Sequence, residues 1–220
     1  MLYSGSSNRD NLMSTKRLYL YPAWIRLWHA INALCFLVLV VTGLSMHFGT
    51  AEGKNLIRFD LSVALHNVAA IILTFGYAFY VTGNLVTRNG RHYTQRTGNM
   101  VPDLLKQARF YAFGIFRGES HPFPVTEEQK FNPLQKFAYV LAMYVGMPLI
   151  IISGLGLLFP ETIAYTVFGV SGLVLTDLLH IVMGFILTLF LVIHLYTCTL
   201  GEKPGTLFRG IVKGYHESHE

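Results

Sequence analysis

Apolar residues in this chain come in long runs. Four stretches carry no Asp, Glu, Lys or Arg: Leu27–Ala51 (25 residues), Leu61–Thr87 (27), Phe137–Pro160 (24) and Leu178–Gly201 (24). A helix needs about 20 apolar residues to cross the hydrocarbon core of a bilayer, and each run exceeds that length. Inside lipid every backbone N–H and C=O must find its partner within the protein, so runs of this length are helices. The pattern predicts an all-α membrane protein built as a four-transmembrane-helix bundle. Its spans are expected at about 24–50, 61–87, 133–159 and 173–201, within one bundle domain covering 24–201. A polar N-terminal arm (1–23) precedes it and a tail (202–220) follows. No Asp or Glu is expected inside any span.

The segment between the second and third spans is too long for a simple connection. Within it Val101–Phe116 places Val101, Leu104, Leu105, Ala108, Tyr111, Ala112 and Ile115 at helical spacing. Asp103, Lys106, Gln107 and Arg109 take the other side. That pattern predicts an amphipathic helix lying in the membrane interface or docking on a partner subunit. The following stretch, with its PFP, reads as exposed and turn-rich.

Composition agrees: 52% of residues are hydrophobic and 13% charged, against about 25% charged in soluble domains. Mean hydropathy is +0.44. The first 23 residues are polar and the first apolar run is too long for a signal-peptide core, so that run is expected to remain as a span. Charge then orients the bundle. Of 17 Lys and Arg residues, 15 fall on one side, in the arm, the long loop, the tail or the adjoining span ends (Arg26 and Lys136), and only Lys54 and Arg58 lie opposite. The positive-inside rule puts both termini in the cytoplasm, which implies the inner membrane. Because the basic excess tracks topology, nucleic acid is not an expected partner. Cys35 and Cys198 lie in the first and fourth spans outside any CxxC or CxxCH pattern, so neither a thiolate metal site nor covalently tethered haem is expected.

The candidate chemistry is in the histidines. His92, His121, His216 and His219 belong to loops or tail, whereas His29, His47, His66, His180 and His194 lie in or at the spans. Ionisable groups at membrane depth are functional candidates. His180 and His194 are fourteen residues apart; at helical geometry they return to within about 40° of one azimuth and rise about 21 Å. They therefore share a face at two depths. His29 follows Arg26 at the cytoplasmic end of the first span, level with His194. His66 follows Asp60 at the outer end of the second, level with His180. Two histidine pairs facing across a bundle are what bis-histidyl haem b requires, each imidazole giving one nitrogen to iron. Gly43, fourteen residues after His29, and Gly184, one turn after His180, would make room for the macrocycles. Arg26 would reach a haem propionate. His47 also lies near the outer face, and spacing alone does not decide between it and His66.

"RLWHAIN" with "VTGL", "LHNVAAI", "FNPLQKFAY" and "DLLHIVMGF…VIHLY" together resemble the membrane cytochrome b subunits of respiratory complexes. These are the formate dehydrogenase gamma subunit, nickel–iron hydrogenase cytochrome b and the thiosulfate reductase type, and the likeness runs from about Tyr21 to Gly214. The resemblance implies two haems b, the inner held by His29 and His194 and the outer by His66 and His180, which selects His66 over His47. It also implies a quinone site (menaquinone or ubiquinone) beside the inner haem, where Asn132 matches the family's asparagine. The expected role is a membrane anchor passing electrons between a partner redox subunit, iron–sulfur or multihaem, and the quinone pool. A separate catalytic subunit would handle the primary substrate, leaving quinone reduction or quinol oxidation as this chain's own chemistry. Two other readings fit the same four helices less well. A histidine relay conducting protons or ions would want acidic partners at depth, and a haem-free anchor leaves four matched histidines unexplained.

Overall fold

The computed structural model describes residues 15–49, 56–94, 99–126, 129–200 and 205–219. Strand β1 (Thr15–Tyr19) leads into α1 (Ala23–His47), and α2 (Phe59–Val86) returns. The short interfacial helix α3 (Met100–Arg109) ends in a wide turn, Phe110–Gly114. The third span, α4 (Pro133–Leu158), is followed by the two-residue strands β2 (Thr166–Val167) and β3 (Val170–Ser171). The fourth is α5 (Gly172–Cys198); α6 (Thr206–Lys213) and β4 (Tyr215–His219) close the chain. All four spans are long and apolar enough to cross a membrane.

Local chemistry explains several boundaries. Asn132 caps α4 with Pro133 at its first position, where the missing N–H costs nothing. Asn132 and Gln135 form a reciprocal capping box that satisfies two otherwise orphaned donors. Mid-span, residues Ala142–Gly146 widen into a π-turn just before Pro148. Proline cannot donate to the carbonyl four residues back and its ring would strike it, so the ladder widens there.

The bundle packs as two antiparallel pairs, α1 on α2 and α4 on α5. Where the pairs meet, Cys35, Ala69, Leu73, Ala142, Met147 and Leu187 form the buried core. Leu187 lies halfway between His180 and His194, so this core is the plug separating two levels of the bundle. The outer faces are the reverse of a soluble protein's: Leu34, Phe75, Ile152 and Leu189 are each more than 60% exposed and turn to lipid.

β1 and β4 pair antiparallel, Thr15 opposite His219 and Tyr19 opposite Tyr215, so the described ends of the chain lie together at one end of the bundle. That end is called inner here, after the charge rule. Gly214, at φ 91°, turns the chain there, and its carbonyl accepts from the backbone N–H of Leu20 (3.1 Å) and Tyr21 (3.2 Å). At the outer end Ser45 Oγ accepts from the Ile57 N–H (2.9 Å) and donates to the Ile57 carbonyl (3.1 Å), closing the α1–α2 loop.

Two expectations need correction. Asp60 and Asp177 do lie inside α2 and α5; both occupy outer turns rather than mid-membrane depth, where hydration still reaches a carboxylate. On α3, Gln107 belongs to the inward face and is fully buried, while Val101 and Leu105 are 61% and 66% exposed. The helix sits on the bundle through Leu104, Gln107 and the following Phe110, and presents its apolar stripe outward.

The orientation has a direct check. In right-side-out vesicles, Leu56→Cys should react with a membrane-impermeant maleimide and Phe116→Cys should not. The opposite labelling would invert the bundle.

Candidate functional site

The structure brings the four span histidines into two facing pairs. His66 of α2 and His180 of α5 have ring centroids 6.3 Å apart, with planes inclined at 68°. His29 of α1 and His194 of α5 have centroids 6.4 Å apart, inclined at 57°. All four are half-buried. His47, the last residue of α1, is exposed and lies against Phe48 and Phe185 at 4.7 and 5.5 Å. The imidazole opposite His180 is therefore that of His66.

The donor set can be tested against what each metal asks for. Among the described residues no three of His, Cys, Asp and Glu converge on one point. A bare zinc-like ion, which takes four ligands, is not provided for. A porphyrin brings its own four nitrogens and asks the protein for two axial imidazoles. With metal–nitrogen bonds of about 2 Å on either side, those rings stand roughly 6 Å apart between centroids. Both pairs fit that separation.

Each outer histidine is held from the helix beside it. Thr42 Oγ1 of α1 lies 2.9 Å from His66 Nδ1, and Ser153 Oγ of α4 lies 3.1 Å from His180 Nδ1. The residue after each hydroxyl is a glycine at the ring's edge. A Cβ on Gly43 would stand 3.6 Å from His66 Cε1, and one on Gly154 only 3.0 Å from His180 Cε1. Gly43 thus seats the edge of the His66 ring. A Cβ on Gly184 would meet nothing within 4 Å, so that face borders open space, and Gly154 is the glycine set against the His180 ring.

The inner pair is framed by aromatic rings. Phe190 stacks parallel to His194 at 5.9 Å (12°), and Tyr139 stands edge-on at 5.8 Å with its hydroxyl 3.4 Å from His194 Nδ1. Cys198 Sγ, one turn on, lies 3.9 Å from His194 Nε2. Trp28 stacks on Tyr80 at 4.2 Å and meets His29 edge-on at 6.5 Å.

A family comparison decides what kind of protein carries this arrangement. The profile described as "Prokaryotic cytochrome b561" matches residues 20–214. The chain belongs to that family. It is a multi-pass membrane b-type cytochrome of electron transport, with haem b as its cofactor. It is similar to a protein of Escherichia coli (strain K12) named as cytochrome YdhU, 41% identical over 204 residues covering 91% of this chain and 75% of that one. Proteins named as Ni/Fe-hydrogenase B-type cytochrome subunits are more distant. That of Rhodobacter capsulatus is 28% identical, over 69% of this chain and 60% of its own. That of Cupriavidus necator is 24% identical, over 64% and 58%. The chain thus spans about three-fifths of the length of the two hydrogenase relatives.

The other two expected residues of this cytochrome have protein partners. Arg26 Nη1 donates to the Lys213 carbonyl at 2.8 Å, tying α1 to the end of α6. Asn132 is 4% exposed. Its Oδ1 accepts from the Gln135 N–H (2.8 Å), and its Nδ2 donates to the Tyr111 hydroxyl (2.9 Å). Burial raises the Tyr111 phenol above its ordinary range.

Beside Asn132 is a residue that sequence reasoning passed over. Lys130 is 5% exposed, with Nζ 4.5 Å from the Tyr21 ring centroid, 5.4 Å from that of Phe131 and 3.4 Å from Asn89 Oδ1. Desolvation lowers its pKa to about 8, and raises the neighbouring Tyr21 phenol to about 12. Nothing in the sequence around Lys130 distinguishes it from a solvated loop lysine. Thr42, Ser153, Tyr139 and Cys198 were missed as partners for the same reason, although the repeated "TGL" and "SGL" of the first and third spans was a signal.

The buried ammonium has a pH signature. Its folded pKa is depressed, so between about 8 and the ordinary lysine value the unfolded chain binds the extra proton and stability rises with pH. Lys130→Met should therefore unfold at higher temperature than the parent at pH 7. The gap should narrow as pH climbs through that window. A gap independent of pH would mean that Lys130 is solvated.

Proposed function

We propose that this cytochrome holds two haems b at two depths and conducts electrons between a partner's redox centre and membrane quinone. The observation carrying this reading is the pair of facing imidazole pairs at matched separations, 6.3 and 6.4 Å, on opposite sides of a buried apolar plug. His66 and His180 would hold the outer haem, His29 and His194 the inner. Haem b supplies a reversible one-electron centre when bound. The protein's own part is to hold four neutral imidazoles in lipid, fix their directions and exclude water from the span between them.

The charge distribution supports both termini in the cytoplasm and a place in the inner membrane. The hydrogenase relatives are named as cytochrome subunits, which supports a catalytic partner for this chain; the redox centre beside it would be an iron–sulfur or multihaem subunit. The outward apolar stripe of α3 and the paired terminal strands offer surface for such a partner. We place quinone chemistry at the inner end, beside Asn132 and Tyr111, where water can supply protons. There a quinone carbonyl would compete with the Tyr111 hydroxyl for the Asn132 amide. Arg26 Nε, buried with no partner among the described residues, would serve a propionate while Nη1 holds the tail.

Haem content and ligand variants test the first part. Purified protein should carry two low-spin haems per chain, both extractable by acid acetone. His66→Ala or His180→Ala should remove one, His29→Ala or His194→Ala the other, and His47→Ala neither. Loss of the outer signal with His47 in place of His66 would overturn the assignment.

Asn132→Asp tests the second part. It keeps the capping oxygen and removes the amide donor. Both haems should remain and be reduced normally, with reoxidation by a quinone analogue slowed severalfold. Unchanged reoxidation would leave Asn132 as a helix cap alone.

A further inference from the structure

The two outer histidines share a detail that the inner two lack. A hydroxyl carries one proton. In Thr42 that proton points to its own helix: Oγ1 lies 2.7 Å from the Val38 carbonyl and 3.3 Å from that of Leu39. Ser153 repeats the arrangement, with Oγ 2.7 Å from the Leu149 carbonyl and 3.2 Å from that of Ile150. With its proton spent, each oxygen can only accept from the imidazole nitrogen facing it. His66 Nδ1 and His180 Nδ1 must then carry the hydrogen, which leaves Nε2 of each ring with a free lone pair.

Two independent helices thus present the same device, hydroxyl then glycine, to two histidines on the helices paired with them. The hydroxyl fixes the tautomer and the glycine seats the ring edge. At the inner level the arrangement differs. Among the described residues no carbonyl accepts the Tyr139 hydroxyl proton, so Tyr139 can donate to His194 Nδ1 as readily as accept. His29 has no side-chain hydrogen bond among those residues.

We propose that Thr42 and Ser153 are positioning residues that lock His66 and His180 as Nδ1–H tautomers and lower the reduction potential of the haem these histidines hold. A hydrogen-bond acceptor behind a metal-bound imidazole raises the basicity of the ligating nitrogen. A more basic ligand favours the more highly charged, oxidised iron, which draws the potential down. The inference rests on the outer ligand pair proposed above.

The test uses the full-length protein in detergent, with haem content and a spectroelectrochemical titration read on the same sample. The wave missing in His66→Ala identifies the outer haem. Thr42→Val keeps the side-chain shape and removes the hydroxyl; Ser153→Ala does the same on the other side. In each single variant, and more in the double, the outer wave should move to a more positive potential with two haems retained and the inner wave unmoved. Thr42→Ser restores the hydroxyl and should titrate like the parent. An unshifted outer wave in the double variant overturns the proposal. If Thr42→Val sheds the outer haem, Thr42→Ser decides: retention supports the hydroxyl's role, and loss shows that Thr42 acts by packing alone. One haem per chain in the parent would instead overturn the ligand pairs on which the proposal stands.

Discussion

Everything in this bundle answers to one constraint: four imidazoles must be kept in lipid, facing in pairs across helices. An ionisable ring in hydrocarbon is costly unless its polar atoms are engaged. The outer pair meets the requirement with Thr42 and Ser153, whose own polarity is absorbed by the carbonyl one turn back. In the inner pair Tyr139 and Cys198 engage His194, while His29 meets the edge of the Trp28 ring. Because α5 supplies one member of each pair, it is the common rail against which α1 and α2 are set.

The packing follows from that demand. Between the two levels the helices close on small and flexible side chains, Cys35, Ala69, Ala142 and Met147 among them, with Leu187 at the midpoint. At the level of the outer rings Gly43 and Gly154 take the place of larger side chains. Elsewhere apolar bulk is turned outward, since lipid rewards exposed Leu and Phe as readily as burial does. The hydrophobic effect therefore inserts the spans but does not choose their mutual rotation. Polar contacts between helices make that choice.

The two ends are built differently. The outer end is closed by serine and backbone, with Ser45 and Ser62 at the α1–α2 turn. The inner end gathers Tyr111, Asn132, Asn89 and the desolvated Lys130 under the paired terminal strands. A polar, buried, partly basic end is where the proposed quinone chemistry is placed.

The four spans were legible because a bilayer imposes length and charge exclusion on any helix that crosses it, and both are one-dimensional properties. The fourteen-residue spacing of His180 and His194 was legible too, since helical rise and turn convert it directly into one face and two depths. Helix rotation was not. Spacing left His47 beside His66, and the packed bundle turned His47 away to Phe185. It also set Gly154 against the His180 ring and drew Gln107 inward. The hydroxyls of Thr42 and Ser153 and the burial of Lys130 depend on which neighbour each helix meets. A single strand of sequence records each residue's own chemistry, but the partner that completes a hydrogen bond lies on another helix, and only packing brings the two together.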